Sequence, residues 1–244
     1  MPFSIYDYTV SLIENFEKIQ QRITAACARS GRDPGSVTLL AVTKSQPPEV
    51  VRAAADCGQV LFGENKVQEA KAKIPLCPSR LRWHFIGHLQ SNKCRDAVEW
   101  FGMIQSVDSL LLARELSKRA EQAAKTMPVL LEVNVAGEAS KFGYPPERLL
   151  SEFKEINTLP WIEIQGLMAV PPWSAEPEKS RPHFRRLRGL KQECEQTLGG
   201  ALPHLSMGMS GDFEVAIEEG ATLVRVGTAL FGPRSAVQKR VTTD

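Results

Sequence analysis

Lys44 is placed for amine chemistry at the end of an apolar run. The run Val37–Thr43 is rich in β-branched residues, which predicts a buried strand, and Lys44 follows its last residue. Because side chains alternate along a strand, we expect Lys44 to share a face with Leu40 and Val42. Partial desolvation there would make the amine easier to deprotonate, and a neutral amine can form a Schiff base. A lysine that simply leaves the strand for solvent is the alternative.

Two glycine-rich turns have the composition of an anion site. The first, Gly208–Gly211, follows a predicted strand and leads into a short helix near Asp212. Its backbone N–H groups and the Ser210 hydroxyl can bind an anion. The second turn contributes the N–H groups of Gly227 and Thr228. Either turn alone is better explained as tight-turn geometry.

Arg225 lies in a predicted strand, with Leu223 and Gly227 on its face. A buried guanidinium needs a partner, and a structural salt bridge is one alternative. If the strands close into a barrel, the last strand neighbours the first, and Arg225 then lies beside Lys44 at the mouth. A lysine, a phosphate-binding pair of turns and an arginine together indicate pyridoxal 5′-phosphate (PLP).

The elements that must position these residues alternate between strands and helices. The predicted strands are Val37–Thr43, Val60–Gly63, Arg82–Ile86, Met103–Val107, Val129–Val135, Ile162–Ala169, His204–Met207 and Thr222–Val226. Segments with helical spacing between them are Pro48–Cys57, Leu110–Lys125, Glu147–Asn157 and Ser180–Leu198. This order predicts right-handed crossovers and a parallel sheet, and its length suits an α/β fold of the single (β/α)₈ TIM-barrel type. An open doubly wound sheet is the alternative, but no G-x-G-x-x-G follows the first strand.

Two segments lie outside this alternation. An extra amphipathic N-terminal helix is predicted by apolar residues at helical spacing: Leu12, Ile13, Phe16, Ile19 and Ile23. We expect it to cover the bottom of the barrel. The proline-rich stretch Pro171–Pro182 is predicted to be a surface loop that leads into a helix. No linker or repeat interrupts the chain, so residues 1–244 are interpreted as one domain.

Composition limits the class of protein. The chain has 244 residues, 43% hydrophobic and 24% charged, with a formal net charge of +2. This usage excludes disorder, and the small charge gives no global field for nucleic acid. Met1–Asn15 lacks the pattern of a signal peptide, and no apolar run is long enough for a membrane helix.

The cysteines indicate a reducing compartment. They are odd in number, widely spaced and without a C-x-x-C pair: Cys27, Cys57, Cys77, Cys94 and Cys194. We therefore expect reduced thiols and a cytoplasmic protein.

Two further patterns are interpreted as structural. His84 and His88 lie about 13 Å apart along an extended strand, which is too far for one zinc ion, so no metal is expected. The basic stretch Arg181–Lys191 has Phe184 and Leu187 at helical spacing, which favours the solvated face of a crossover helix over a nucleic-acid patch.

Several longer motifs resemble one family. They are Leu39-Leu-Ala-Val-Thr-Lys44, Phe62-Gly-Glu-Asn65, His84-Phe-Ile-Gly-His-Leu-Gln-Ser-Asn-Lys93, Leu205-Ser-Met-Gly-Met-Ser210 and Arg225-Val-Gly-Thr-Ala-Leu-Phe-Gly232. Together they resemble the pyridoxal-phosphate homeostasis protein family, also called the proline synthetase co-transcribed homologue family. The resemblance runs from about Val37 to Gly232, in the family's order.

The resemblance implies a barrel like the N-terminal domain of alanine racemase, of PLP fold type III, with the cofactor bound as an aldimine. By resemblance, Lys44 is the Schiff-base lysine. Ser210, Gly227 and Thr228 are the phosphate-binding positions, and Arg225 faces the pyridine nitrogen.

Other implied features are less specific. Asn65 lines the cofactor pocket, and Met168 packs near the ring or belongs to the barrel core, whereas His84 and Gln90 receive no role. The family implies a part in vitamin B6 and amino-acid homeostasis, with PLP-dependent apoenzymes as partners. We expect a monomer that binds neither nucleic acid nor membrane.

Two features of the sequence bear on whether the protein is a PLP carrier or a PLP-dependent enzyme. Arg225 can only donate, so it favours an unprotonated pyridine nitrogen and supports carbanion chemistry weakly. Alanine racemase works with a similar arginine but adds a β-domain that supplies a tyrosine base, whereas only about a dozen residues follow Gly232. We therefore expect a PLP carrier with no catalytic residues. A fold-type III racemase and a phosphosugar-binding barrel are the alternatives.

Overall fold

The computed structural model describes residues 5–138 and 141–232, in which eight parallel strands pair in chain order and close into a barrel. The strands are β1 Thr38–Val42, β2 Leu61–Glu64, β3 Arg82–Phe85, β4 Met103–Val107, β5 Met127–Glu132, β6 Ile162–Met168, β7 His204–Ser206 and β8 Leu223–Val226. The α-helices are α1 Ile5–Arg29, α2 Pro48–Asp56, α3 Val67–Lys73, α4 Cys94–Trp100, α5 Leu110–Gln122, α6 Pro146–Asn157, α7 Arg181–Leu198, α8 Phe213–Glu218 and α9 Thr228–Phe231. The predicted (β/α)₈ barrel is confirmed, and the open sheet is wrong.

The eight predicted strands all occur, with ends that lie within three residues of the expected ones. The four helices predicted between them also occur, as α2, α5, α6 and α7. The helices α3 and α4 were not predicted, because each has seven residues, which is too few to show a helical period.

Register fixes which residues share a layer of the barrel. In the closing pair, Leu40 of β1 is the partner of Arg225 of β8. A cluster of buried apolar residues fills the interior: Leu40, Val42, Leu61, Met103, Leu130, Met168 and Leu223. A larger apolar cluster lies between the strands and the surrounding helices. The barrel is therefore a packed core, and its ligand-binding surface is left to the loops at the strand ends.

The N-terminal helix does not cover the bottom of the barrel. It packs on the outer ring against α8, α9 and α2. Asn15 Nδ2 donates to Leu230 O at 2.9 Å, and Arg22 pairs with Glu214 at 3.0 Å. The expectation was wrong because α9 has only four residues and leaves the strands near the β8–β1 closure for another helix to cover.

The basic helix α7 is a crossover helix, as predicted. Phe184 and Leu187 are fully buried against the barrel. Its basic face is solvated only in part, since Arg181 and Arg188 pair with the buried Glu219 at 2.9 and 3.1 Å. None of the described helices has the length and apolar character needed to cross a bilayer.

The proline-rich stretch is shorter as a loop than expected. Residues 171–176 are irregular, Pro177–Ser180 form a 3₁₀ turn, and α7 begins at Arg181. Pro182 therefore belongs to the first helical turn, where its missing N–H costs no hydrogen bond. The segment that follows Gly232 lies outside the described residues.

Candidate functional site

Lys44 lies in a turn at the C-terminal mouth of the barrel. The strand β1 ends at Val42, and the chain turns at Lys44 and Ser45, where the φ of Ser45 is 62°. Leu40 and Val42 lie on one face of β1, as predicted, and that face lines the barrel interior. Lys44 itself is exposed, so the expected desolvation is wrong: the strand stops two residues earlier, and Lys44 lies in the turn that follows it.

A buried lysine ties this turn to the neighbouring elements. Lys73 Nζ, at the end of α3, donates to the backbone oxygen of Thr43 at 2.8 Å. The same ammonium pairs with Glu64 at 2.7 Å and with Glu69 at 2.9 Å. Glu69 also accepts the backbone N–H of Ser45 at 2.5 Å. The ammonium therefore joins both sides of the Lys44 turn to one helix.

Glu64 is a fully buried carboxyl of this cluster, with no exposed surface. Burial raises the pKa of its carboxyl, and the attraction of Lys73 opposes that rise. The Thr43 hydroxyl donates to it at 2.7 Å. Sequence reasoning missed this cluster, although Glu64 stands in the motif Phe62-Gly-Glu-Asn65; an acidic residue inside an apolar strand was the available signal.

Asn65 follows the neighbouring strand at the same end of the barrel. Val42 of β1 is paired with Gly63 of β2, so Lys44 and Asn65 each follow a paired position by two residues. Asn65 is half-buried. A Cβ at Gly87 would lie 2.2 Å from the backbone oxygen of Asn65, so this approach requires glycine.

The two glycine-rich turns meet at Ser210. The backbone N–H groups of Gly227 and Ala229 donate to its hydroxyl oxygen at 3.4 and 3.2 Å. Gly208 has a φ of +87°, and a Cβ there would lie 2.5 Å from that of Ala216. Backbone donors and a hydroxyl are thus collected at one point, as an anion site needs.

These turns adjoin the strand that carries the lysine. A Cβ at Gly227 would lie 3.3 Å from the backbone oxygen of Val42. Thr228 is exposed at the start of α9. The structure therefore brings Lys44, Gly227 and Thr228 to one side of the mouth.

Arg225 is buried beneath the mouth and bonded to neutral acceptors. Only 4% of the residue is exposed. It donates to Ser206 Oγ at 2.7 Å and to the backbone oxygen of Ala169 at 2.8 Å. Desolvation lowers its pKa to about 10, although Glu132 and Asp212 act at a distance to raise it. Among the described residues no carboxylate lies within 4.0 Å of it, so the salt-bridge alternative is wrong.

A buried carboxyl on the opposite side of the mouth was not predicted. Glu132, the last residue of β5, is 8% exposed, and burial with the nearby Asp108 charge raises its pKa to about 7. Asp108 in turn pairs with His88 at 3.2 Å, and the His88 ring stacks on Phe142. A charged residue inside the predicted strand Val129–Val135 was the signal that could have found it.

Three residues whose roles were left open are Met168, His84 and Gln90. Met168 has no exposed surface and lies in the interior apolar cluster, paired in register with Ser206. His84 faces the interior, where its Nδ1 lies 2.9 Å from Gln105 Nε2. Gln90 is exposed. Met168 thus packs in the barrel core, and its contact with the ring stays a prediction. The other predicted site residues lie at or just below the mouth.

Comparison with known proteins decides the family. The model of the alanine racemase N-terminal domain matches residues 13–235. A pyridoxal phosphate homeostasis protein of Aquifex aeolicus is 47% identical over 222 residues, which cover 91% of this chain and 97% of the relative. Another, of Pseudomonas aeruginosa, is 46% identical over 225 residues and covers 92% and 96%. The chain belongs to the pyridoxal phosphate homeostasis protein family.

Solved structures agree with this family and with the wider fold. PipY of Synechococcus elongatus, solved with PLP bound, superposes with a TM-score of 0.77 at 39% identity, over 88% of this chain and 100% of PipY. An alanine racemase of Clostridium difficile superposes with a TM-score of 0.71 at 14% identity, which shows the fold alone. The matched region spans 92% of this chain and 58% of that racemase.

Proposed function

We propose that this chain binds PLP at the C-terminal mouth of its barrel and carries it covalently on the Lys44 amine, in vitamin B6 and amino-acid homeostasis. The observation that carries the proposal is the arrangement of β1, β7 and β8. Their ends bring together a lysine turn, an N–H-rich cradle at Ser210 and a buried arginine with neutral partners. PipY, a relative with the same fold, was solved with PLP bound.

Each proposed contact matches a chemical group of PLP. Ser210, Gly227 and Thr228 would hold the phosphate through a hydroxyl and backbone N–H groups. Arg225 would donate to the ring nitrogen, and Asn65 would line the ring. The cradle fits because the N–H groups of Gly227 and Ala229 converge on Ser210, where a phosphate oxygen would replace the hydroxyl as their acceptor. A Cβ at Gly227 would crowd β1.

Arg225 limits the electron-sink chemistry of bound PLP. When bound, PLP supplies an electron sink that is strongest with a protonated ring nitrogen. Arg225 is a donor at neutral pH, so it competes with that proton. We therefore propose that the chain stores the cofactor or delivers it to PLP-dependent apoenzymes. We also propose a monomer in the cytoplasm, a location that the five free cysteines support.

A titration of the purified protein with PLP tests the proposal. We expect wild type to develop the visible absorbance of a lysine-bound cofactor, and Lys44→Ala to lose it while retaining weaker, noncovalent binding through the phosphate cradle. Lys93→Ala, in the 3₁₀ turn between β3 and α4, is the matched control and should behave as wild type. Covalent binding that survives in Lys44→Ala would refute the role of Lys44.

A second measurement separates carrier from racemase. Protein loaded with PLP is incubated with L- or D-alanine in deuterated water, and exchange of the α-proton is followed by NMR. We expect no exchange above that of free PLP. Sustained exchange at enzyme-like rates would establish the racemase instead.

A further inference from the structure

A line of polar side chains crosses the apolar interior of the barrel. Arg225 donates to Ser206 Oγ at 2.7 Å, and Ser206 Oγ donates to Gln105 Oε1 at 2.6 Å. Gln105 Nε2 lies 2.9 Å from His84 Nδ1. Ser206 and Gln105 have no exposed surface. These residues come from β8, β7, β4 and β3, so the line runs from the candidate cofactor site to the far side of the barrel.

The arginine and the placement of the Gln105 amide oxygen next to Ser206 together fix the direction of every bond in this line. A guanidinium only donates, so Ser206 must accept from Arg225. The single hydroxyl hydrogen of Ser206 then goes to the amide oxygen of Gln105, which leaves the amide nitrogen to donate to His84 Nδ1. His84 Nδ1 must therefore carry a lone pair. The imidazole is neutral, with its proton on Nε2.

We propose that Ser206, Gln105 and His84 are positioning residues for Arg225, joined in a one-directional hydrogen-bond chain that requires a neutral His84. The chain orients the guanidinium from behind, leaving its remaining N–H groups for a ligand. The role of these residues in PLP binding rests on the proposed function. The hydrogen-bond chain itself does not.

Packing alone does not account for these side chains. The interior around them is filled by apolar residues such as Met103 and Leu130. A buried amide or hydroxyl costs stability unless its hydrogen bonds are made, so apolar residues of similar size would fill the space at lower cost. Every hydrogen bond in the line leads to Arg225, which gives the polar residues their use.

The surroundings of His84 keep it neutral. Burial and the charges of His204 and Arg82 lower its pKa to about 4. Its end of the barrel opens on a cavity of ≈ 520 Å³, whose other charged or titratable lining residues are Glu99 and Lys125. A proton taken up on Nδ1 would face the Gln105 amide donor and break the chain. We expect this hydrogen-bond chain to be intact at neutral pH and to be lost only in acid.

NMR of the protein without PLP tests the chain directly. The sequence has four histidines, so ¹⁵N signals of the imidazole rings can be assigned by substitution. In wild type we expect His84 Nδ1 to be unprotonated from neutral pH down to about pH 5. In Gln105→Glu the carboxylate can only accept, so the proton should move to Nδ1. Met103→Leu, an interior control on the same strand, should leave His84 unchanged.

The tautomer of His84 in the wild-type protein decides whether the hydrogen-bond chain exists, and this result needs no variant. A proton on His84 Nδ1 at neutral pH would overturn the chain. So would a Gln105→Glu protein that folds and leaves the ring nitrogens as they were.

PLP binding tests the positioning role. We expect Ser206→Ala to bind PLP at least about fivefold more weakly and to shift the pH profile of the bound cofactor's absorbance, with Met103→Leu unchanged. If wild type fails to bind PLP on Lys44, the proposed function is wrong, while the NMR result still decides the chain. If wild type binds PLP and Ser206→Ala matches it in affinity and pH profile, the positioning role is wrong.

Discussion

Arg225 is a charge held in the barrel interior by a hydroxyl and a backbone oxygen. Substitution of an ion-paired arginine would leave a buried carboxylate without its partner. Substitution of Arg225 leaves only neutral acceptors behind. Desolvating a guanidinium is costly, so its retention points to a ligand and not to folding stability.

We therefore predict that Arg225→Met separates binding from stability. The free energy of unfolding without PLP should change by less than about 1 kcal/mol, because the lost hydrogen bonds offset the removed desolvation cost. PLP affinity should fall at least about tenfold, the equivalent of one hydrogen bond to a charged group. Urea unfolding and PLP titration measure the two effects. A loss of about 3 kcal/mol or more in stability would make Arg225 a structural residue.

Glu132 predicts a dependence of stability on pH. Its pKa is raised to about 7 in the folded protein by burial and by Asp108, against an ordinary value of 4.5. Between these values the folded state binds more protons than the unfolded state, so stability falls as pH rises from about 4.5 to about 7. Glu132→Gln should remove this contribution, which is at most about 3 kcal/mol. Urea unfolding gives the free energy of unfolding at pH 5 and at pH 8, and the difference between the two pH values should be smaller in Glu132→Gln than in wild type. Equal differences in the two proteins would contradict the raised pKa.

At the residue scale the sequence was informative where one side chain carries the chemistry. Lys44, Ser210 and Arg225 were predicted from strand ends and turn composition, and the structure brings their elements together. The exposure of Lys44 was not predictable, because it depends on where β1 stops. Ser206, Gln105 and His84 lie on three different strands, and only the barrel register joins them.

At the scale of elements, α3 holds the Lys44 turn through a single ammonium. Lys73 bonds Thr43, Glu64 and Glu69, and its side chain is only 5% exposed. A short helix of seven residues thus fixes the end of the neighbouring strand.

We predict that Lys73→Met destabilises the protein by about 3–5 kcal/mol at neutral pH, since it leaves the buried Glu64 carboxylate uncompensated. The double variant Lys73→Met/Glu64→Gln should recover part of this loss, because no buried charge then remains. A double-mutant cycle by urea unfolding gives the coupling between the two side chains. Additive losses would show that the pair contributes nothing beyond its separate packing.

The elements were predictable in proportion to their length and regularity. Strands with apolar β-branched runs and helices of nine or more residues were found from periodicity. The seven-residue helices lacked a measurable period. The placement of α1 failed because the size of α9, which decides the space on the outer ring, has no sequence signal of its own.

For the whole molecule, barrel closure is what makes one site from distant residues. The pairing of β1 with β8 brings residues from the two ends of the sequence into one layer, with Leu40 opposite Arg225. Alternation of strands and helices predicted this closure. The alternation did not predict which polar side chains meet inside, since that depends on register between strands far apart in sequence.

The covalent attachment of PLP to Lys44 is the central claim, and borohydride reduction tests it most directly. The loaded wild-type protein is reduced, digested and mapped by mass spectrometry, with protein lacking PLP as the control. We predict one pyridoxyl group, on the peptide that contains Lys44. A label on Lys93 or Lys141 in place of Lys44, or no label on a protein that binds PLP, would contradict the assignment of the site.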